Sequence, residues 1–228
     1  MTNREIHTPK IQSLPKTHGL PTLRPTRELE SGLNGMGYDM SQVFLRSKSL
    51  PLFRLWGGMY SEENVRFLHS HTKNSKHLDE EIKKLYKIHA TIPTKSVKPI
   101  VVVADEQGTH GYITERVIGQ NLGFHHRGYR ADHREQINVV LTDLVIAVRT
   151  LHASGIGHGN ISLENILVEH PTSEQRPIPN MRLGPPLVTQ RPKQEMEIIG
   201  EDKRKLEEIS MRFRPLLREI GSHDQRRN

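Results

Sequence analysis

Residues 151–168 read Leu-His-Ala-Ser-Gly-Ile-Gly-His-Gly-Asn-Ile-Ser-Leu-Glu-Asn-Ile-Leu-Val. Ahead of them Ile137, Val140, Leu141, Leu144, Val148 and Leu151 recur at helical spacing and form one apolar stripe. Asp132 with Glu135 three residues on makes a start like a capping box, and Gly155 is a fitting C-terminal stop, so a helix is predicted over Asp132 to His152. Ile166-Leu167-Val168 then reads as a short strand. Between helix and strand lies a tight polar loop. It carries His158, Asn160 and Asn165 at relative positions zero, two and seven.

This loop resembles the catalytic loop of the protein kinase superfamily, where His-Arg-Asp, four further residues and an Asn stand in the same frame. The flanks agree: Leu-His-x-x-Gly-Ile precedes His158, and Asn-Ile-Leu-Val follows from Asn165. The resemblance implies an α+β, bilobal protein-kinase-like fold. It would have a small N-lobe sheet with a helix, and a truncated, mostly helical C-lobe. His158 would then build the loop, and Asn160 stands at the base position where the family has its Asp. That Asp accepts the proton of the attacking hydroxyl. A carboxylate accepts up to four hydrogen bonds and carries charge, whereas an amide keeps the shape, has no charge and donates through its NH2. His-Gly-Asn at this place is similar to the pseudokinase domains of the Janus kinases, and the short chain resembles minimal bacterial effector kinases.

The same resemblance assigns further positions. Gly35 and Gly37, within Gly32 to Met40, match two glycines of the phosphate-closing loop, with Met40 at the third; a simple turn is the competing reading. Arg54 is the nearest basic residue where the family has its phosphate-pairing Lys, and a planar guanidinium does not reproduce a point charge. Glu81 is the match for the Glu that pairs with that Lys. Glu80 competes, and both read equally as solvated helix charges. Glu115-x-x-x-Gly119-x-x-Leu122 resembles the hinge that reads an adenine edge through its backbone, implying the carbonyl of Glu115 and the amide of Val117. Asn165 would meet Mg²⁺ only with a bound nucleotide. Pro185-Pro186-Leu187 stands where Asp-Phe-Gly is expected, and no Asp occurs between Asp143 and Asp202. Hard cations want charged oxygen, so no metal site is expected, and ATP binding is expected to be weak and independent of Mg²⁺. Glu164 or Glu169 standing in as metal ligands would be needed for the alternative, an active atypical Ser/Thr kinase.

Along the chain, residues 1–27 are rich in Thr, Pro, Lys and His and read as a disordered arm. The expected N-lobe and hinge cover 28–122, and the C-lobe covers 123–228. Strands are predicted at Gln42 to Arg46, Leu50 to Trp56, Ile100 to Asp105 and Gly111 to Val117. A helix spans Ser61 to Ala90, with Leu78, Ile82, Leu85 and His89 on one face, and Pro93 stops it. Met181 to Leu183 is a strand. Glu201 to Ile220 is an amphipathic helix on Leu206, Ile209, Phe213, Leu216 and Ile220, with Pro215 expected to kink it.

The chain has 33 Lys and Arg against 26 Asp and Glu, a net charge of +7, which favours acidic partners. Lys73, Lys76, Lys83, Lys84 and Lys87 are expected to form an outward basic face that docks an acidic protein surface. A basic adaptor that binds RNA or acidic protein surfaces through the Lys-rich helix ranks last, because Tyr86 is the one aromatic residue among these lysines. With no cysteine, disulfides and Cys-type zinc sites are excluded. His69 and His71, and His125, His126 and His133, read better as scattered surface histidines than as a metal site. No apolar run approaches a membrane span, and no basic-then-apolar leader opens the chain. The expected working place is the cytoplasm, or a host cytoplasm for a secreted effector. The function implied is a pseudokinase acting as a binding or scaffolding module.

Overall fold

The structure is a computed structural model. It describes residues 19–23, 29–37, 43–47, 75–105, 108–115, 117, 119–123, 134–169, 179–186, 188 and 193–218. Within these the chain is mixed α and β, with two small sheets and four helices among the described residues. No described helix is long and apolar enough to cross a membrane.

The first sheet is built from β1 (Thr22–Leu23), β2 (Val43–Ser47), β3 (Pro99–Asp105) and β4 (Gly108–Glu115), in the order β1-β3-β4-β2. β3 and β4 form an antiparallel hairpin, as the run Ile100 to Asp105 predicts; Val101, Val102 and Val103 are fully buried. β2 pairs antiparallel with β4, from Val43 opposite Glu115 to Ser47 opposite Gly111. The strand expected at Leu50 to Trp56 lies outside the described residues.

Two parts of the N-terminal stretch fall within the described residues. Residues 1–27 are not wholly outside the fold. β1 runs parallel to β3, the Val102 amide donates to the Pro21 carbonyl at 2.9 Å, and Leu20 is buried in the apolar cluster under the sheet. An edge strand leaves one row of N–H and C=O groups open, and a short extended segment beside an apolar residue satisfies it. The stretch Gly32 to Met40 opens within α1 (Leu29–Gly35), where Leu33 finds a fully buried site. Gly35 is the last helical residue. Gly37, at φ 85°, closes the turn with its amide on the Asn34 carbonyl. The two glycines therefore end a helix and make the turn that follows it.

α2 (Ser75–Thr91) buries Leu78, Ile82 and Leu85 and stops ahead of Pro93, as its pattern predicts, but Ile88 takes the next buried place and His89, expected on that face, is only half-buried; residues 61–74 lie outside the described set. Leu78, Ile82 and Leu85 pack under the first sheet, while Ile88 and Ile92 enter a second, larger cluster. That second cluster lies among α3 (Arg134–Ala153), the second sheet and α4 (Glu195–Arg218). All six residues of the predicted α3 stripe are buried. α3 ends as the sequence requires: Gly155 has φ 70°, its amide reaches the His152 carbonyl, and the Ile156 amide reaches the Leu151 carbonyl, both at 3.0 Å. This two-bond cap needs a left-handed residue, which glycine adopts without a Cβ clash.

The second sheet is β5 (Gly119–Asn121), β6 (Ile166–Glu169) and β7 (Asn180–Leu183), all antiparallel in that order. Its last strand is tied to the segment after α2: the Val97 amide donates to the Leu183 carbonyl, and the Leu183 amide to the Lys95 carbonyl. Lys95 adds an ion pair to Asp143 on α3 and a 2.9 Å hydrogen bond to Asn180. α4 begins six residues earlier than predicted and continues through Pro215 to Arg218.

Candidate functional site

The polar loop lies where α3, β6, β7 and α4 converge. Its fixed point is Asp202, on the first half of α4 and 2% exposed. One carboxylate oxygen accepts the His158 amide at 2.5 Å, the other the Gly159 amide at 2.9 Å. His152, at the end of α3, adds its Nε2 at 3.3 Å. Glu195, in the first turn of the same helix, accepts the Gly157 amide at 2.8 Å. Successive amides of the loop are thus held by two carboxylates about two turns apart on one helix. Such charge-assisted bonds are about twice as strong as neutral ones.

His158 is fully buried, and its Nε2 lies 3.0 Å from the Gly184 carbonyl. Burial pushes the imidazole down to about 4, partly opposed by the charge of Asp202, so the ring is neutral and donates to that carbonyl. Its Nδ1 then accepts the Asn160 amide at 3.3 Å. The ring is a strut between the loop and the segment after β7.

Asn160 and Asn165 meet at Pro185. The Asn160 Nδ2 donates to the Pro185 carbonyl at 3.1 Å, and the Asn165 Nδ2 donates to the same carbonyl at 2.9 Å and to the Asn160 carbonyl at 3.0 Å. The backbone returns the contact, with the Gly184 amide on the Asn165 carbonyl at 2.8 Å. A Cβ on Gly184 would fall 2.1 Å from the Asn165 side-chain oxygen, so only glycine lets the two segments come this close. The structure therefore brings His158, Asn160, Asn165 and Pro185 into one polar cluster.

The other predicted residues are placed as follows. Glu81 is 3% exposed and accepts the Tyr112 hydroxyl at 2.6 Å, whereas Glu80 is exposed; burial separates the two competitors. Arg54, which the resemblance sets opposite Glu81, lies outside the described residues, as do His69, His71, His125, His126 and His133. Glu115 ends β4, and its carboxylate accepts Arg182 at 3.2 Å and the Lys98 amide at 3.0 Å; Val117 is buried. Gly35 and Gly37 sit at the end of α1. Glu169 binds Asn180 and Arg182. At about 3.3 Å per residue of strand it lies roughly 13 Å along β6 from Asn165, too far to complete a metal shell there. Glu164 is exposed. Among the described residues no group of three or more His, Asp and Glu is arranged to hold a metal.

One expectation about charge is corrected. Lys84 does not belong to the outward basic face: it is 9% exposed and pairs with Glu195 at 3.7 Å. It follows Glu81 by three residues on the inner side of α2. Desolvation lowers its pKa, and Glu195 and Asp202 oppose that shift. Lys83 and Lys87 are exposed as expected.

Sequence reasoning missed Asp202, Glu195, Lys84 and Tyr112. One signal for Asp202 was present. Ile199, Asp202, Leu206, Ile209 and Phe213 recur at steps of three and four, so a carboxylate occupies a core-facing stripe. No protein-family model matches the chain, and no curated protein is similar to it in sequence.

Proposed function

We propose that this chain is a degenerate, bilobal protein-kinase-like protein, a pseudokinase that works as a binding or scaffolding module without phosphotransfer. The observation that carries the reading is the closed set of neutral contacts joining Asn160, Asn165 and Pro185. Phosphotransfer on such a loop calls for one carboxylate to take the hydroxyl proton and another to hold Mg²⁺. Here an amide points its NH2 at a proline carbonyl that already accepts a second amide. That carbonyl is neutral and engaged, so the residues present do not fit a hard divalent cation. His158 and the Asp202 grip support the kinase-like half of the reading: the loop is built to hold one shape.

The length of chain after the loop supports the non-catalytic half. Only eight residues separate Pro186 from Glu195, the first residue of α4, where kinases carry the activation loop that controls assembly of the site. A nucleotide could still use backbone groups near Glu115 and Val117, and the proposal allows weak ATP binding. The acidic partner expected at α2 would be met by Lys83 and Lys87, since Lys84 is spent on Glu195. Titration calorimetry with ATP, in the presence and absence of Mg²⁺, tests the reading. The expected result is weak or absent binding, the same in both. Tight binding that requires Mg²⁺ would overturn it.

A further inference from the structure

α3 and α4 leave a groove of about 530 Å³ between them. α3 contributes Val145, Val148, Arg149 and His152, and every lining residue of α4 falls between Lys203 and Arg214 at alternating steps of three and one. These are one face of each helix, so the groove runs along both. Its floor is apolar. Val148 is buried, Val145 and Leu206 are partly covered, and Met211 is 57% exposed. Its rim is basic: Arg149, Lys203 and Arg214 are exposed and form no ion pair with a described residue, and Glu207 is the acid of the lining.

We propose that this groove docks an amphipathic helix of a partner protein, with acidic residues near both of its ends. Three features fix the occupant. Lys203 and Arg214 are eleven residues apart on α4, about 16 Å at 1.5 Å per residue, which matches three turns of a partner helix. Two helix faces flanking an apolar floor are what a third helix fills, with anchors at i, i+3 or i+4, and i+7. The rim cations, which have no ion-pair partner among the described residues, call for carboxylates at the ends of that helix. A second copy of the chain fits poorly. A two-fold contact places a surface against itself, so the basic rim would face a basic rim.

The inference goes beyond the pseudokinase reading and does not depend on it: a chain that bound Mg²⁺-ATP tightly could still dock a helix here. The probe is a synthetic peptide of about fifteen residues, with leucines at i, i+3, i+4 and i+7 and glutamates at both ends. A twin carries lysines in place of the glutamates. Fluorescence anisotropy with the full chain is expected to favour the acidic peptide by about tenfold, the sum of two or three rim pairs. Lys203→Glu/Arg214→Glu should reverse the preference, and Met211→Glu should weaken both peptides. All three positions are exposed, and an unchanged melting temperature checks that the fold is kept. Equal binding of the twins, no binding of either, or a preference unmoved by the charge reversal would overturn the proposal. So would sedimentation showing a dimer that Met211→Glu dissolves, which would assign the groove to a second copy.

Discussion

Asp202 shows how one side chain can hold a polar loop. It spends its two oxygens on three donors from α3 and the loop, and Glu195 secures the next amide upstream. Removing the carboxylate leaves one buried and one half-buried amide without partners, which typically costs about 1–3 kcal/mol for a buried group. Asp202→Ala is therefore expected to lose roughly 3 kcal/mol or more by urea denaturation. Asp202→Asn should recover part of this, because one side-chain oxygen can still accept. His158 gives a pH signature. Its folded pKa, about 4, lies below the unfolded value of 6.5, so between the two the unfolded chain holds a proton that the folded chain does not. Stability should thus be complete above about pH 6.5 and fall as pH drops towards 4, by up to roughly 3 kcal/mol from this group. The check is the urea midpoint at pH 7 and at pH 5: the native chain should lose more than His158→Asn across that interval.

At the scale of elements, periodic segments were legible and charged positions were not. The stripe of α3, Leu78, Ile82 and Leu85 of α2, and the apolar run of β3 are buried as their spacing requires, because burial of one face is a property of the element alone; His89, expected on the same face of α2, is only half-buried beside Ile88. Lys84 looked like its neighbours Lys83 and Lys87, and only the approach of Glu195 from α4 tells it apart. Charge reversal at Lys83 and Lys87 is expected to leave the fold intact and to reduce capture of an acidic partner in a salt-dependent way, since exposed charges are screened over about 8 Å at physiological ionic strength. Unchanged capture by the folded variant would remove α2 as a docking face. Leu20 and β1 were hidden for the opposite reason: two strand residues in a Pro- and Lys-rich arm carry no periodicity, and the edge of β3 supplies the partner. Leu20→Ala should cost about 2 kcal/mol or less. It should also raise hydrogen exchange at the Val102 amide, which donates to Pro21, more than at Val101 or Val103.

Over the whole molecule, the frame of the polar loop was legible because helix, glycine cap, loop and strand are consecutive in the chain. His158, Asn160 and Asn165 needed no long-range contact to be found together. What holds them arrives from residues 184–202, and its role could not be read until β7 and α4 were placed against the loop. The same contacts carry the functional account. On the proposed kinase-like reading, Asn160 and Pro185 stand at the two positions where phosphotransfer needs carboxylates, and the Asn160 side-chain amide donates to the Pro185 carbonyl. Restoring one should not restore the reaction. General-base help is worth about 10²–10⁴-fold, but the Pro185 carbonyl would still occupy the metal-ligand position. The direct measurement is radiolabel transfer from ATP, with Mg²⁺, to a generic protein substrate and to the chain itself, by the unmodified protein and by Asn160→Asp. The account predicts no transfer above background from either. Robust transfer by either would mean that other groups hold the metal, and would contradict it.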